Sequence, residues 1–125
     1  MLALSYVNIF VDDLAAAVDF YRGKLGLELQ HQDPEHGYAS LAAGAVRIGL
    51  ARVGAEHRDL VGRMTGVGLA VSDLQAEYER LSALGATFSM APTRQPWGGF
   101  MALLQDPAGN TLYLDEVAAV HATSS

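Results

Sequence analysis

The side chains that could do chemistry in this 125-residue chain are few and scattered. Cysteine is absent, which excludes thiolate nucleophiles, disulfides and Cys-ligated zinc or iron–sulfur centres. The four histidines are His31, His36, His57 and His121. No two of them stand at i, i+4 or at i, i+2, the spacings that aim two imidazoles from one helix or one strand at a single ion, so they read as surface histidines. Asp12-Asp13 and the Glu77, Glu79 pair read as a helix start and a solvated helix face rather than as a general acid and base. Arg47 remains as a guanidinium that either pairs with an acid such as Asp115 or takes an anionic ligand. Beside it stand Tyr6, Phe10, Trp97 and Tyr113, whose chemistry is stacking and hydrogen bonding.

Charge and hydropathy narrow the partners. Eight Lys and Arg against 14 Asp and Glu leave a formal charge of −6, and Lys24 is the single lysine, so phosphate backbones are poor partners and nucleic acid is not expected. At 50% hydrophobic and 18% charged the chain can bury a core. No apolar run approaches the roughly 18 residues of a membrane span, and the first residues lack the basic region of a secretory signal, so a cytoplasmic protein is expected.

The elements that must position these residues repeat. Val7-Asn8-Ile9-Phe10-Val11-Asp12-Asp13-Leu14 lies over Val67-Gly68-Leu69-Ala70-Val71-Ser72-Asp73-Leu74 at an offset of sixty. Leu14, Val18 and Tyr21 then share their i, i+4, i+7 spacing with Leu74, Tyr78 and Leu81, one apolar helix face in each copy. Asp12 and Asp13 supply acceptors for the first helix start, and Ser72 with Gln75 reads as a capping box at the second. The helices end at Leu25-Gly26 and Leu84-Gly85, the second one residue shorter. Strand-like runs follow at Leu27 to His31, Tyr38 to Ala42 and Ala45 to Arg52, and again at Thr87 to Met90, Phe100 to Gln105 and Thr111 to Glu116. Asp106-Pro107-Ala108-Gly109-Asn110 is a turn between the last pair, and Asp106 is not a catalytic candidate. The fold class is therefore α+β, as two tandem βαβββ modules: 1–53, a linker at 54–65 with room for one helical turn, 66–117, and a small polar tail at 118–125.

A tandem βαβββ chain with a Val-Asp-Asp-Leu helix start, Phe20-Tyr21 ahead of Leu25-Gly26, a Pro96-Trp97-Gly98 loop and Asp106-Pro107-Ala108-Gly109-Asn110 resembles the vicinal oxygen chelate superfamily. That superfamily embraces glyoxalases, extradiol dioxygenases, fosfomycin resistance enzymes and bleomycin-resistance binding proteins. The resemblance covers Leu4 to about Glu116. It implies that each module curls a mixed sheet into an open cup, that cups pair, often across a homodimer, and that metal-dependent members carry four His or Glu ligands on the first, fourth, fifth and eighth strands. Carried residue by residue onto this chain, those positions are Tyr6, Gly49, Gly66 and Tyr113. None is a His or a carboxylate, so no metal and no other cofactor is expected.

Strand alternation puts Tyr6, Asn8 and Phe10 on the cup face of the first strand and Arg47 and Gly49 on that of the fourth. It puts Gly66, Gly68 and Ala70 on the fifth, and Thr111, Tyr113 and Asp115 on the eighth. One reading of these small and aromatic residues is a cavity for an aromatic or amphipathic small molecule, bounded by Tyr6, Asn8, Phe10, Arg47, Gly66, Trp97 and Tyr113. Another is a barrel filled by its own aromatics. Trp97 is either a stacking lid or a loop anchor on a dimer partner. Three functions follow: a metal-free binding protein that sequesters its ligand as bleomycin-resistance relatives do, a glyoxalase- or dioxygenase-like enzyme using a non-standard or no metal site, and a dimeric domain with a filled interior.

Overall fold

The repeat becomes two four-stranded mixed sheets, each built from one consecutive βαβββ stretch. The computed structural model describes residues 1–118. The tail expected over 118–125, and with it His121, falls outside the described residues from 119 onward. Chain contacts divide the protein into two units, one comprising Met1–Arg63 with Pro107–Asn110, the other Met64–Asp106 with Thr111 onward.

In the first unit, strand β1 (Tyr6–Val11) leads into helix α1 (Leu14–Val18), which continues as a π-helical turn over Asp19–Lys24. Strands β2 (Glu28–Asp33), β3 (Tyr38–Ala43) and β4 (Val46–Arg52) follow, and the sheet order is β1-β4-β3-β2 with β1 parallel to β4. Alternation along these strands sends Ile9 and Val11, Ala39 and Leu41, and Ile48 and Leu50 to one face, where all six are buried with Leu14, Val18 and Tyr21 of the helical segment. Phe20 and Tyr21 meet edge to face at 5.1 Å, a geometry worth about 0.5 to 1.5 kcal/mol beyond the area buried.

The second unit repeats this plan with β5 (Met64–Val71), α2 (Leu74–Ala83), β6 (Thr87–Arg94), β7 (Phe100–Gln105) and β8 (Thr111–Glu116), in the order β5-β8-β7-β6 with β5 parallel to β8. Leu74, Leu81, Ala102, Leu104, Leu112 and Leu114 are buried on its helix-facing side. β5 begins at Met64, two residues ahead of the expected module start at 66, and two short 3₁₀ turns over Ala55–Leu60 meet at a kink at His57.

Several local features differ from the sequence reading. The second helix is capped by Asp73, whose side chain accepts from Ala76 N at 3.0 Å, rather than by a Ser72–Gln75 box. Asp13 does the same for Ala16 N, also at 3.0 Å, so the caps themselves obey the sixty-residue offset and the ionised acceptor takes the role in both copies. The extra residue of the first helix is absorbed as π geometry, with Leu25 N donating to Phe20 O at 2.9 Å across five residues. β6 runs four residues beyond Met90, through Pro92, because two irregularities in its pairing with β7 accommodate the proline.

Candidate functional site

Register assigns the faces of the first sheet row by row. Its open face carries Tyr6, Arg47, Ala42 and Glu28 in one row, Asn8, Gly49, Ser40 and His31 in the next, and Phe10, Ala51, Tyr38 and Asp33 in the third. Four of the seven residues expected to bind a ligand, Tyr6, Asn8, Phe10 and Arg47, therefore share one surface. Tyr6 is 51% exposed, Asn8 and Arg47 are exposed, and Phe10 is half-buried.

The centre of that face is built around a missing side chain. The Tyr38 hydroxyl donates to Asn8 Oδ1 at 3.2 Å, reaching from β3 to β1 across the central strand β4. It can do so because the intervening residue is Gly49, whose absent Cβ would overlap both Asn8 Oδ1 and the Tyr38 hydroxyl. Arg47 donates from Nη2 to Ser5 Oγ at 3.3 Å, and its guanidinium lies 5.8 Å from the Tyr6 ring centroid. No carboxylate of its own unit pairs with it among the described residues. At the edge of the face, His36 holds the Asp33 carboxyl below the usual aspartate range, through Nδ1 to Oδ2 at 2.9 Å and its backbone N–H to Oδ1 at 3.2 Å.

The open face of the second sheet has a different character. Its rows are Gly68, Tyr113, Leu103 and Met90, then Ala70, Asp115, Met101 and Thr93. Two methionines, a leucine and a tyrosine make an apolar floor that can adjust to an irregular ligand, with Asp115 as its charged group. Gly66 does not continue this wall as period-two alternation required. It adopts φ +75° inside a bulge, where β5 advances four residues from Met64 to Gly68 while β8 advances two from Thr111 to Tyr113. Thr65 secures the bulge, its hydroxyl donating to Thr111 O at 2.8 Å and accepting from Val67 N at 3.0 Å. Gly66 is therefore present for its backbone conformation. Trp97 is 74% exposed on the β6–β7 loop, its indole folded over Gly99, and Arg94 beside it stacks at 4.5 Å on Phe100.

Tyr38, Ser40, Met90, Met101 and Leu103 stand on the open faces without having been singled out by the sequence reading. The alternation that locates Tyr6 and Tyr113 would have found them if extended to the third, sixth and seventh strands. A cleft of about 370 Å³ in the first unit lies elsewhere, lined by Asp12, Asp13, Leu14, Ala15, Gln32, Pro34 and Arg52. Its charged groups are engaged: Asp12 with Arg58 at 3.0 Å, Asp13 as helix cap, and Arg52 with Pro34 O at 3.3 Å.

The profile of the Glyoxalase/Bleomycin resistance protein/Dioxygenase superfamily matches residues 3–114, and the chain belongs to that superfamily. UcmS2, of known structure, is 30% identical, with 94% of this chain and 99% of that one covered and a TM-score of 0.81. TnmS3, an antibiotic binding protein from Streptomyces sp. CB03234, is 26% identical over 93% of this chain and 96% of its own, with a TM-score of 0.78. The uncharacterized protein YraH of Bacillus subtilis (strain 168) is 27% identical over 122 residues, 89% of this chain and 95% of its own.

The residues at the positions that the superfamily's metal-dependent members use do not fit a divalent ion. In the first unit these are Tyr6 and Gly49, and the space a ligand side chain would take at Gly49 is occupied by Asn8 and Tyr38. In the second they are Gly66, at the bulge, which offers no donor atom, and Tyr113, a phenol rather than an imidazole or carboxylate. Among the described residues no three His, Asp or Glu side chains are placed to hold a metal ion. No helix of the described residues is long and apolar enough to cross a membrane.

Proposed function

We propose that this protein is a metal-independent member of the superfamily that binds an aromatic or amphipathic small molecule, in the manner of an antibiotic-sequestering protein, and that it works in the cytoplasm as a homodimer. The observation that carries this reading is the Tyr38–Asn8 hydrogen bond over Gly49. It replaces a potential ligating side chain with a neutral polar pair, while aromatic groups stay exposed around it. Tyr6, Asn8, Phe10 and Arg47 would contact the ligand from the first sheet. In the second unit, taken by itself, Tyr113 and Trp97 are the candidate contacts, with Gly66 shaping the strand beside Tyr113. The antibiotic-binding TnmS3 is similar along nearly its whole length, which supports the same assignment.

Native mass spectrometry of the purified protein, with and without added nickel, zinc and ferrous iron, tests this directly. The expected result is a dimer that retains or takes up an organic ligand and acquires no stoichiometric metal. One tightly held metal per subunit would overturn the metal-independent assignment, and conversion of bound ligand to product would make the protein an enzyme.

A further inference from the structure

The open face of the first sheet sets an oriented amide beside a cation, and both have donors to spare. Because the Tyr38 hydroxyl donates to Asn8 Oδ1, the carbonyl end of the amide is turned toward Tyr38 and its Nδ2, with two N–H groups, is turned away. Nothing among the described residues accepts from that Nδ2. Arg47, in the adjacent row, gives Nη2 to Ser5 Oγ and leaves the rest of its fork open above the Tyr6 ring. Both carboxylates of the same face, Glu28 and Asp33, stand on β2, separated from β4 by β3, and Asp33 is already engaged by His36. The centre of the face thus presents donors next to an aromatic surface.

We propose that the first unit selects aromatic ligands that carry an acceptor oxygen, as an ionised acid or a carbonyl, placed against Asn8 Nδ2 and Arg47, with Tyr38 as the positioning residue that holds the amide in its donating orientation. This rests on the binding function above and narrows its ligand class. An ammonium-bearing ligand would meet Arg47 as a like charge and leave the Asn8 donors unpaired, whereas an anionic oxygen makes charge-assisted bonds to both. Tyr38 acts through Asn8: its hydroxyl donates to the carbonyl end of the amide, which leaves Nδ2 facing away from it.

Two dyes of one skeleton separate these terms. 8-Anilinonaphthalene-1-sulfonate carries an ionised acid, and N-phenyl-1-naphthylamine is the same framework without it. In fluorescence titrations of the full chain the sulfonate is expected to bind about tenfold more tightly, the scale of one or two charge-assisted hydrogen bonds in a half-exposed setting. The ratio of the two affinities should fall toward one in Arg47→Met, fall severalfold in Tyr38→Phe, and drop below one in Asn8→Asp, where an acceptor replaces the donor. Tyr38→Phe keeps the ring and its packing, so a change in the ratio reports the hydroxyl and not the fold. A parent ratio near one, or a ratio indifferent to these substitutions, overturns the inference while both dyes still bind and the binding function stands. If neither dye binds, both fall together.

Discussion

The Tyr38 hydroxyl and the Asn8 side-chain carbonyl meet at 3.2 Å above the Cα of Gly49, so this hydrogen bond spans a strand that contributes no side chain beneath it. Sheet side chains ordinarily contact their immediate cross-strand neighbours. A contact between β3 and β1 across β4 needs both a long residue and a gap, and Tyr38 and Gly49 supply them. The pair fills the space that a side chain at Gly49 would take, and so ties the packing of this sheet to the chemistry it can support.

Gly49→Ala should cost about 1 to 3 kcal/mol of stability, the range for overpacking a close-fitted site, because the new methyl meets Asn8 Oδ1 and the Tyr38 hydroxyl at once. Urea unfolding measures it. In a Tyr38→Ala background the same substitution should cost markedly less, and equal costs in the two backgrounds would show that Tyr38 does not occupy the space over Gly49.

Gly66 and Gly68 should respond differently although only two positions apart. Gly66→Ala forces a side chain to φ +75° and is expected to lose about 1 to 2 kcal/mol. Gly68→Ala adds a methyl at ordinary contact, 3.9 Å from Tyr113 Cβ, and should change stability by less than about 0.5 kcal/mol.

Asn110 is 1% exposed, and both ends of its side-chain amide are engaged within the first unit. Its Oδ1 accepts from Gly62 N at 2.8 Å and Arg63 N at 3.1 Å, and its Nδ2 donates to Phe10 O at 2.8 Å. Asn110→Ala leaves these backbone groups without the partner and should destabilise by about 2 to 4 kcal/mol. Asn110→Asp keeps the acceptor but sets a carboxylate against the Phe10 carbonyl, and no recovery over Ala is expected. Thermal melts of both variants, with hydrogen exchange at Gly62 and Arg63, check this.

The Asp33 carboxyl should titrate below the ordinary aspartate value, and His36→Ala should return it upward, as read from the carboxyl carbon resonance. A carboxylate whose folded pKa is depressed adds stability that is present above its unfolded value and lost as the pH falls through the folded one. Any contribution of the lowered Asp33 carboxyl is therefore present above the ordinary aspartate value and disappears in strong acid. A carboxyl titration in His36→Ala identical to the parent's would show that His36 has no hold on Asp33.

Much of the scaffold was legible in the sequence because it follows from period and offset. The sixty-residue repeat, the apolar helix faces and the alternation of Ile9 with Asn8 and of Leu112 with Tyr113 depend only on local geometry, and these are the features that place Tyr6, Asn8, Phe10 and Arg47 together. Alternation failed at Gly66, because a bulge resets the face and leaves no clear mark in a run of small residues. Capping was misplaced by one residue, since Ser72 and Asp73 are both good acceptors and the choice between them rests on where the helical dihedrals begin. What tertiary structure alone decided is the relation between residues far apart in the chain: Tyr38 reaching Asn8 across Gly49, and Asn110 binding the backbone at Phe10 and Gly62. Such contacts depend on which strands are neighbours and on how far each side chain extends over the gap beneath it, and neither is set by the spacing of residues along the sequence.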